Sequence, residues 1–123
     1  MKTHAKNLAL AVVSGALRRE IEWILRRAGI RRFISAVVSA EDVKNGKPDP
    51  ECFRKGFSAL NRLPRFRTEP LRARDCMAVE DSIHGVRSAQ RAGMKCLAVT
   101  NSYSRKELSC ADRIVSSLKF VKL

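Results

Sequence analysis

Aromatic residues are scarce in this 123-residue sequence, which has five Phe, one Tyr and one Trp. None is interleaved with its basic residues as a stacking platform for bases, and no known nucleic-acid motif occurs. Nucleic acid is therefore not an expected partner. No apolar run approaches the ~20 residues of a membrane span. Leu8 to Val13 is too short for a signal-peptide core and no cleavage site follows, so the chain reads as cytoplasmic with no membrane partner. Cys52, Cys76, Cys96 and Cys110 form no CxxC or Cys/His spacing, which excludes a zinc or dithiol motif. They are expected to be buried free thiols, behaving as small hydrophobes. There is no internal repeat and no low-complexity segment. Acids are few: 12 Asp and Glu face 25 Lys and Arg, a formal net charge of +13. The excess arginines are scattered, Arg18, Arg19, Arg26 and Arg27 on a helix face and Arg62, Arg65, Arg67, Arg72 and Arg74 in a loop. Such a balance serves solubility and attracts phosphate-bearing ligands.

The length suits one domain, residues 1–123, with one sizeable core. Its organising stretch is Cys76 to Gly93. The apolar run Cys76-Met77-Ala78-Val79 stops at Glu80 and Asp81. Ser82 follows, then a helical pattern with Ile83, Val86, Ala89 and Ala92 on one side. Gly93 stands where a helix C′ residue takes positive φ. This is a strand, an acidic turn and a helix, and in open α/β sheets chemistry collects at strand carboxyl ends. Two adjacent carboxylates repel each other unless a cation lies beside them, most simply a hard metal ion.

The same alternation runs through the chain. Leu8 to Val13 reads as a strand buried on both faces, ending at Ser14-Gly15. A helix from Ala16 carries an apolar stripe of Leu17, Ile21, Ile24, Leu25 and Ala28, closed by Gly29. Phe33 to Val38 is a second strand. In Asn45-Gly46-Lys47-Pro48-Asp49-Pro50, two prolines exclude a strand or helix interior. Asp49 is a helix cap and Pro50 a first helical residue, with Phe53, Phe57 and Leu60 inward. Asn61 to Asp75 is a long loop, Met94 to Val99 a further strand, and Asp112 to Val115 a short edge strand. Ser104-Arg105-Lys106-Glu107 has the form of a capping box and predicts a short helix. Strands alternating with helices predict a parallel sheet with right-handed crossovers. Trp23 and Phe33 are read as packing residues, or as interface residues in a dimer, and His84 as a surface residue.

A hydroxyl (Ser14), an ammonium (Lys47) and a carboxylate pair (Glu80, Asp81) at strand ends are the toolkit for holding a phosphoryl group and its magnesium. Plainer roles also exist: Ser14 as a helix cap, Lys47 as a solvated loop residue, and the acids as partners of a helix dipole. The stretches VVSGALRREIEWILRRAGI, NGKPDPECF, VEDSIHGVRSAQRAGM and ADRIVSSL, spanning Leu8 to Leu118, closely resemble the haloacid dehalogenase (HAD) superfamily. Within it they look like the β-phosphoglucomutase-like phosphatases and phosphomutases. The resemblance implies a Rossmann-like (HAD-like) α/β fold, a parallel sheet with flanking helices. It makes Ser14 the hydroxyl that bonds the transferring phosphoryl group and Gly15 the point of close backbone approach. Lys47 would neutralise phosphate and nucleophile, and Glu80 and Asp81 would hold Mg²⁺, with Asp81 the more direct ligand. Ser82 would support the turn and Asn101 would lie near the rim.

The departure from that family is as informative. Its chemistry starts on a strand ending in a DxD motif, whose first Asp attacks phosphorus. The aspartates here are Asp42, Asp49, Asp75, Asp81 and Asp112, and none has that context. The resemblance thus implies a core without its central nucleophile strand or cap domain, inactive or weakly active alone. The missing strand belongs between those ending at Ser14 and Glu80. The expected consequences are a gap closed by direct pairing, a homodimer, or a second chain supplying the strand. A non-catalytic interaction protein, recruiting a partner through its exposed strands and basic surface, is the alternative.

Overall fold

A computed structural model describes residues 8–121, and the statements that follow concern those residues. The elements in chain order are β1 (Leu10–Val13), α1 (Arg18–Arg27), β2 (Ile34–Val38) and α2 (Glu51–Asn61). They continue with β3 (Met77–Glu80), α3 (Ile83–Arg91), β4 (Lys95–Val99) and β5 (Arg113–Val115). All strand pairs are parallel, with Val13 opposite Val38, Glu80 opposite Ala98 and Val99 opposite Val115. Parallel pairing needs a long crossover between partners, and helices supply three of the four connections between successive strands.

The sheet is in two pieces, β1-β2 and β3-β4-β5, so β1 and β3 do not pair directly. The Ser14 N–H bonds the Val38 carbonyl, and the Lys95 N–H bonds the Cys76 carbonyl. Successive residues of a strand point their backbone groups to opposite sides, so Ala11 and Val13 turn theirs away from β2. Met77 and Val79 likewise turn theirs away from β4. The helices join the pieces. α2 packs on β1 and β2, α3 packs on β3 and β4, and the two helices pack on each other. One core therefore spans both pieces, with Val38 and Phe53 meeting Ala78, Val86, Ala89, Cys96 and Leu108.

Local chemistry sets the helix ends. The Ser82 hydroxyl caps α3 by accepting from the Gly85 N–H at 3.0 Å, and Gly93 past its end has φ of +83°. Asp49 Oδ1 accepts from the Glu51 N–H at 2.8 Å, so Asp49 caps α2 although the regular helix starts one residue later than expected, at Glu51.

Five expectations need correction. β1 spans Leu10–Val13 and is not buried on both faces: Leu10 is exposed, and Ala11, Val12 and Val13 are half-buried. In α1 only Ile21 and Leu25 are buried, while Leu17, Ile24 and Ala28 of the predicted stripe are exposed. Periodicity gives the direction of a helix face but not how much protein lies against it. Trp23 is 64% exposed and Phe33 52%, so neither packs in the core. The capping box forms, with Ser104 and Glu107 bonding each other's backbone N–H at 3.1 and 3.2 Å, but no helix follows. Leu108 is fully buried, and Asp112 is drawn at once into a bond from its N–H to the Cys96 carbonyl, which starts β5. Finally, Cys52 and Cys96 are buried free thiols, but Cys76 is half-buried and Cys110 exposed. Burial pushes the Cys96 thiol up to about 12.

Candidate functional site

The carboxyl ends of β1, β3 and β4 open into one cleft of about 560 Å³. It is lined by Val13, Ser14 and Gly15 after β1, by Lys47, by Val79, Glu80 and Asp81 at β3, and by Val99 and Asn101 at β4. Five predicted site residues far apart in sequence (Ser14, Gly15, Lys47, Glu80, Asp81) therefore meet, with Asn101 beside them. Parallel strands oriented alike bring their carboxyl ends to one edge, which is why they converge.

Lys47 and Glu80 form the site's fixed pair, with Lys47 Nζ 2.5 Å from Glu80 Oε2 and their side chains 22% and 8% exposed. Nζ also donates to the Val13 carbonyl at 3.3 Å, on the open side of β1, and lies 5.1 Å above the Phe53 ring. A nearly buried carboxylate is stable only when paired and hydrogen-bonded. Ser82 Oγ supplies a further contact, donating to Glu80 Oε1 at 3.4 Å. Gly85 makes room for this arrangement, since a Cβ there would fall 1.9 Å from Glu80 Oε1.

The loop that carries Lys47 is tied to α3. Ser88, fully buried, donates from Oγ to the Asp49 carbonyl at 2.6 Å, and Arg91 Nη1 donates to the Pro48 carbonyl at 3.3 Å. The Lys47–Pro48 peptide is cis. α3 thus holds both members of the pair, Glu80 through its first turn and Lys47 through its middle.

Ser14 serves a helix-side role as well as facing the cleft, because its Oγ accepts from the Ala16 N–H at 3.1 Å. Asp81 is exposed and has no hydrogen-bond or ion-pair partner among the described residues. Ser82 stands behind the cleft rather than in its wall, and exposed His84 does not line it. Ser116, Ser117 and Leu118 complete the lining. Sequence reading missed them as site residues, although they belong to the quoted ADRIVSSL stretch. Gly85 and Ser88 were equally invisible as supports, because nothing in a helical pattern says what a small residue makes room for.

The other aspartates have structural partners. Asp42 accepts from the Ser39 N–H and hydroxyl and from Arg18, Asp75 from the Arg72 N–H, and Asp112 from the Cys96 N–H. Asp49 caps α2. Asp81 is the one aspartate lining the cleft. Among the described residues no group of three or more His, Cys, Asp or Glu side chains is placed to hold a metal ion. The possible donors are the carboxylates of Glu80 and Asp81.

A family profile described as haloacid dehalogenase-like hydrolase matches residues 1–99. The chain belongs to this family. Among curated proteins it is 33% identical over 113 residues to the validoxylamine A 7′-phosphate phosphatase of Streptomyces hygroscopicus, covering 92% of this chain and 49% of that one. It is 32% identical over 111 residues to the chloroplastic 5-amino-6-(5-phospho-D-ribitylamino)uracil phosphatase of Arabidopsis thaliana, covering 90% of this chain and 27% of that one. Among solved structures, CbbY of Rhodobacter sphaeroides in complex with phosphate is 26% identical with a TM-score of 0.78, over 94% of this chain and 50% of that one. The β-phosphoglucomutase of Clostridium difficile has the same fold, with a TM-score of 0.80 at 24% identity, over 99% of this chain and 48% of that one. The chain spans about half the length, or less, of these HAD relatives.

Proposed function

We propose that this chain is the phosphoryl-binding portion of a HAD-type phosphohydrolase site and that it holds a phosphoryl group without hydrolysing it alone. The observation that carries the reading is the meeting of Ser14, Gly15, Lys47, Glu80 and Asp81 in one cleft whose lining offers no second aspartate. The names of its relatives, two phosphatases and a structure holding phosphate, support the same ligand class. Lys47 supplies the positive charge, shared between Glu80 and an incoming phosphate oxygen. The Ser14 hydroxyl and Gly15 backbone lie where phosphate oxygens find donors. Glu80 and Asp81 fit a hard cation as oxygen ligands, and Mg²⁺ bound there would offset the repulsion between Asp81 and a phosphate. With two protein carboxylates, one of them already paired with Lys47, the metal site is weak without phosphate.

Covalent catalysis needs a carboxylate that attacks phosphorus while the leaving oxygen departs. In this reading that group comes from a polypeptide segment other than residues 1–123, entering between β1 and β3. The unpaired edges of those strands support this, since backbone groups on both sides await a partner. The supplier is a further part of the same polypeptide or another chain; a homodimer of this chain would cover the strand edges without adding that group.

The test is titration of orthophosphate with Mg²⁺ by calorimetry, beside turnover of an aryl phosphate, for the chain and for Asp81→Asn. Saturable phosphate binding, weaker in Asp81→Asn with Mg²⁺ present, is expected, with no turnover above the variant. Absence of phosphate binding would sink the site. Mg²⁺-dependent turnover abolished by Asp81→Asn would show that the chain needs no outside nucleophile.

A further inference from the structure

The outward face of α1 adjoins the phosphoryl cleft but shares no lining residue with it. There Trp23 is 64% and Ile24 56% exposed, with Leu17 at 39%. Ala16, Arg19, Glu20, Trp23 and Ile24 line a shallow, almost wholly apolar groove along this helix. Their spacing of three and four residues puts them on one stripe. Large apolar side chains exposed together mark an interaction site more often than single ones do.

The charges around the groove select its occupant. Arg18 is paired with Asp42, and Arg26 and Arg31 share Glu22. Arg19, Arg27 and Arg32 meet no acid among the described residues. Instead, the Arg27 guanidinium lies 5.6 Å over the Trp23 ring and Arg32 lies 4.6 Å over Phe33. The acid in the groove, Glu20, is occupied by the Leu17 N–H at 3.1 Å. Exposed Trp with unpaired Arg is the composition from which binding hot spots are drawn.

We propose that this groove receives an acidic amphipathic helix of a protein partner. The partner's apolar residues would cover Trp23 and Ile24, and its carboxylates would pair with Arg19 and Arg27. A second copy fits poorly because it brings the same cations, on a chain of formal charge +13. The groove begins at Ala16, next to Gly15 of the phosphoryl cleft, so a bound helix would lie beside that cleft. The inference does not depend on the cleft binding phosphate.

Trp23 is the only tryptophan in the sequence, so its fluorescence reports on the groove directly. The probe is a designed amphipathic helix of about 16 residues with leucines on one face and glutamates flanking them, beside a version with lysines for glutamates. The acidic peptide is expected to shift Trp23 emission to the blue saturably, and the basic one to leave it unchanged. Arg19→Glu with Arg27→Glu should raise Kd at least about tenfold, and Ile24→Ser should raise it by a similar factor. Arg65→Glu with Arg67→Glu, in the exposed loop away from the groove, should change it less than about twofold. Circular dichroism checks that each variant is folded. Equal losses from both arginine pairs would mean diffuse charge attraction and overturn the proposal. So would an unchanged Trp23 emission with the acidic peptide. A blue shift produced by phosphatidylserine vesicles but not by the peptide would assign the face to membranes instead. A blue shift that grows with protein concentration, with dimers in sedimentation, would assign it to self-association.

Discussion

At the scale of single residues, the site rests on how Glu80 is accommodated. Its carboxylate is folded against Gly85 and reaches Lys47 at 2.5 Å. Gly85→Ala ordinarily favours a helix by about 1 kcal/mol. Here the added Cβ must displace Glu80 from Lys47, so the variant is expected to be less stable by about 2–4 kcal/mol in urea unfolding. Gly46→Ala, with nothing within 4 Å of the new Cβ, is the control and should change stability little. Asp42 sets a second expectation. The Ser39 N–H, then the Ser39 hydroxyl and Arg18, hold its carboxyl below the ordinary 3.8. A depressed carboxyl contributes stability that is present above the unfolded pKa and lost as pH falls through the folded one. Thermal melts should therefore lose stability as pH drops below 3.8, and Asp42→Asn should lose less over that range than the parent chain. A variant with the parent's acid slope would show that Asp42 does not contribute.

At the scale of elements, α3 is the jig of the site. It caps itself with Ser82, packs Val86 and Ala89 into the core, and holds the Asp49 carbonyl with Ser88. Ser88→Ala leaves that half-buried carbonyl only the weak thiol contact of Cys52 at 4.0 Å. A loss of about 1–3 kcal/mol is expected in denaturant unfolding. Amide exchange should also quicken at Asp49, whose N–H bonds the Gly46 carbonyl, because the loop bearing Lys47 is released from α3. Slowed or unchanged exchange there would mean that the prolines, the Arg91 contact and the Lys47–Glu80 pair fix the loop without Ser88.

At the scale of the whole molecule, the split sheet is the defining feature. β4 has a partner on each side, while β1 and β3 each have one. Met77 and Val79 expose half of their surface beside the gap. Backbone groups turned into the gap lack ladder partners, so hydrogen exchange should be fast at Met77 and Val79 and slow within β4. Addition of a chain that fills the gap should slow exchange at those positions first. Uniformly slow exchange in the isolated chain would mean that the two pieces close on each other in solution.

The alternation of apolar runs with helical periods was legible in the sequence because strand and helix burial each impose a local period. So were the acidic turn after β3, the cap at Asp49 and the glycine after α3. The predicted site residues could be named from motif resemblance, and their convergence followed from parallel topology. Other features were decided only in three dimensions. Trp23 and Ile24 lie on an open face because no element among the described residues covers the outside of α1. Gly85 and Ser88 matter because of what lies across from them, at Glu80 and Asp49. The capping box at Ser104 did not grow into a helix because burial of Leu108 and the pull of β5 outweighed a local signal. Sequence determined most of the elements, the helix signalled at Ser104 excepted, since those forces act between near neighbours. Tertiary structure decided which faces are covered and which groups meet, because that depends on residues distant in the chain.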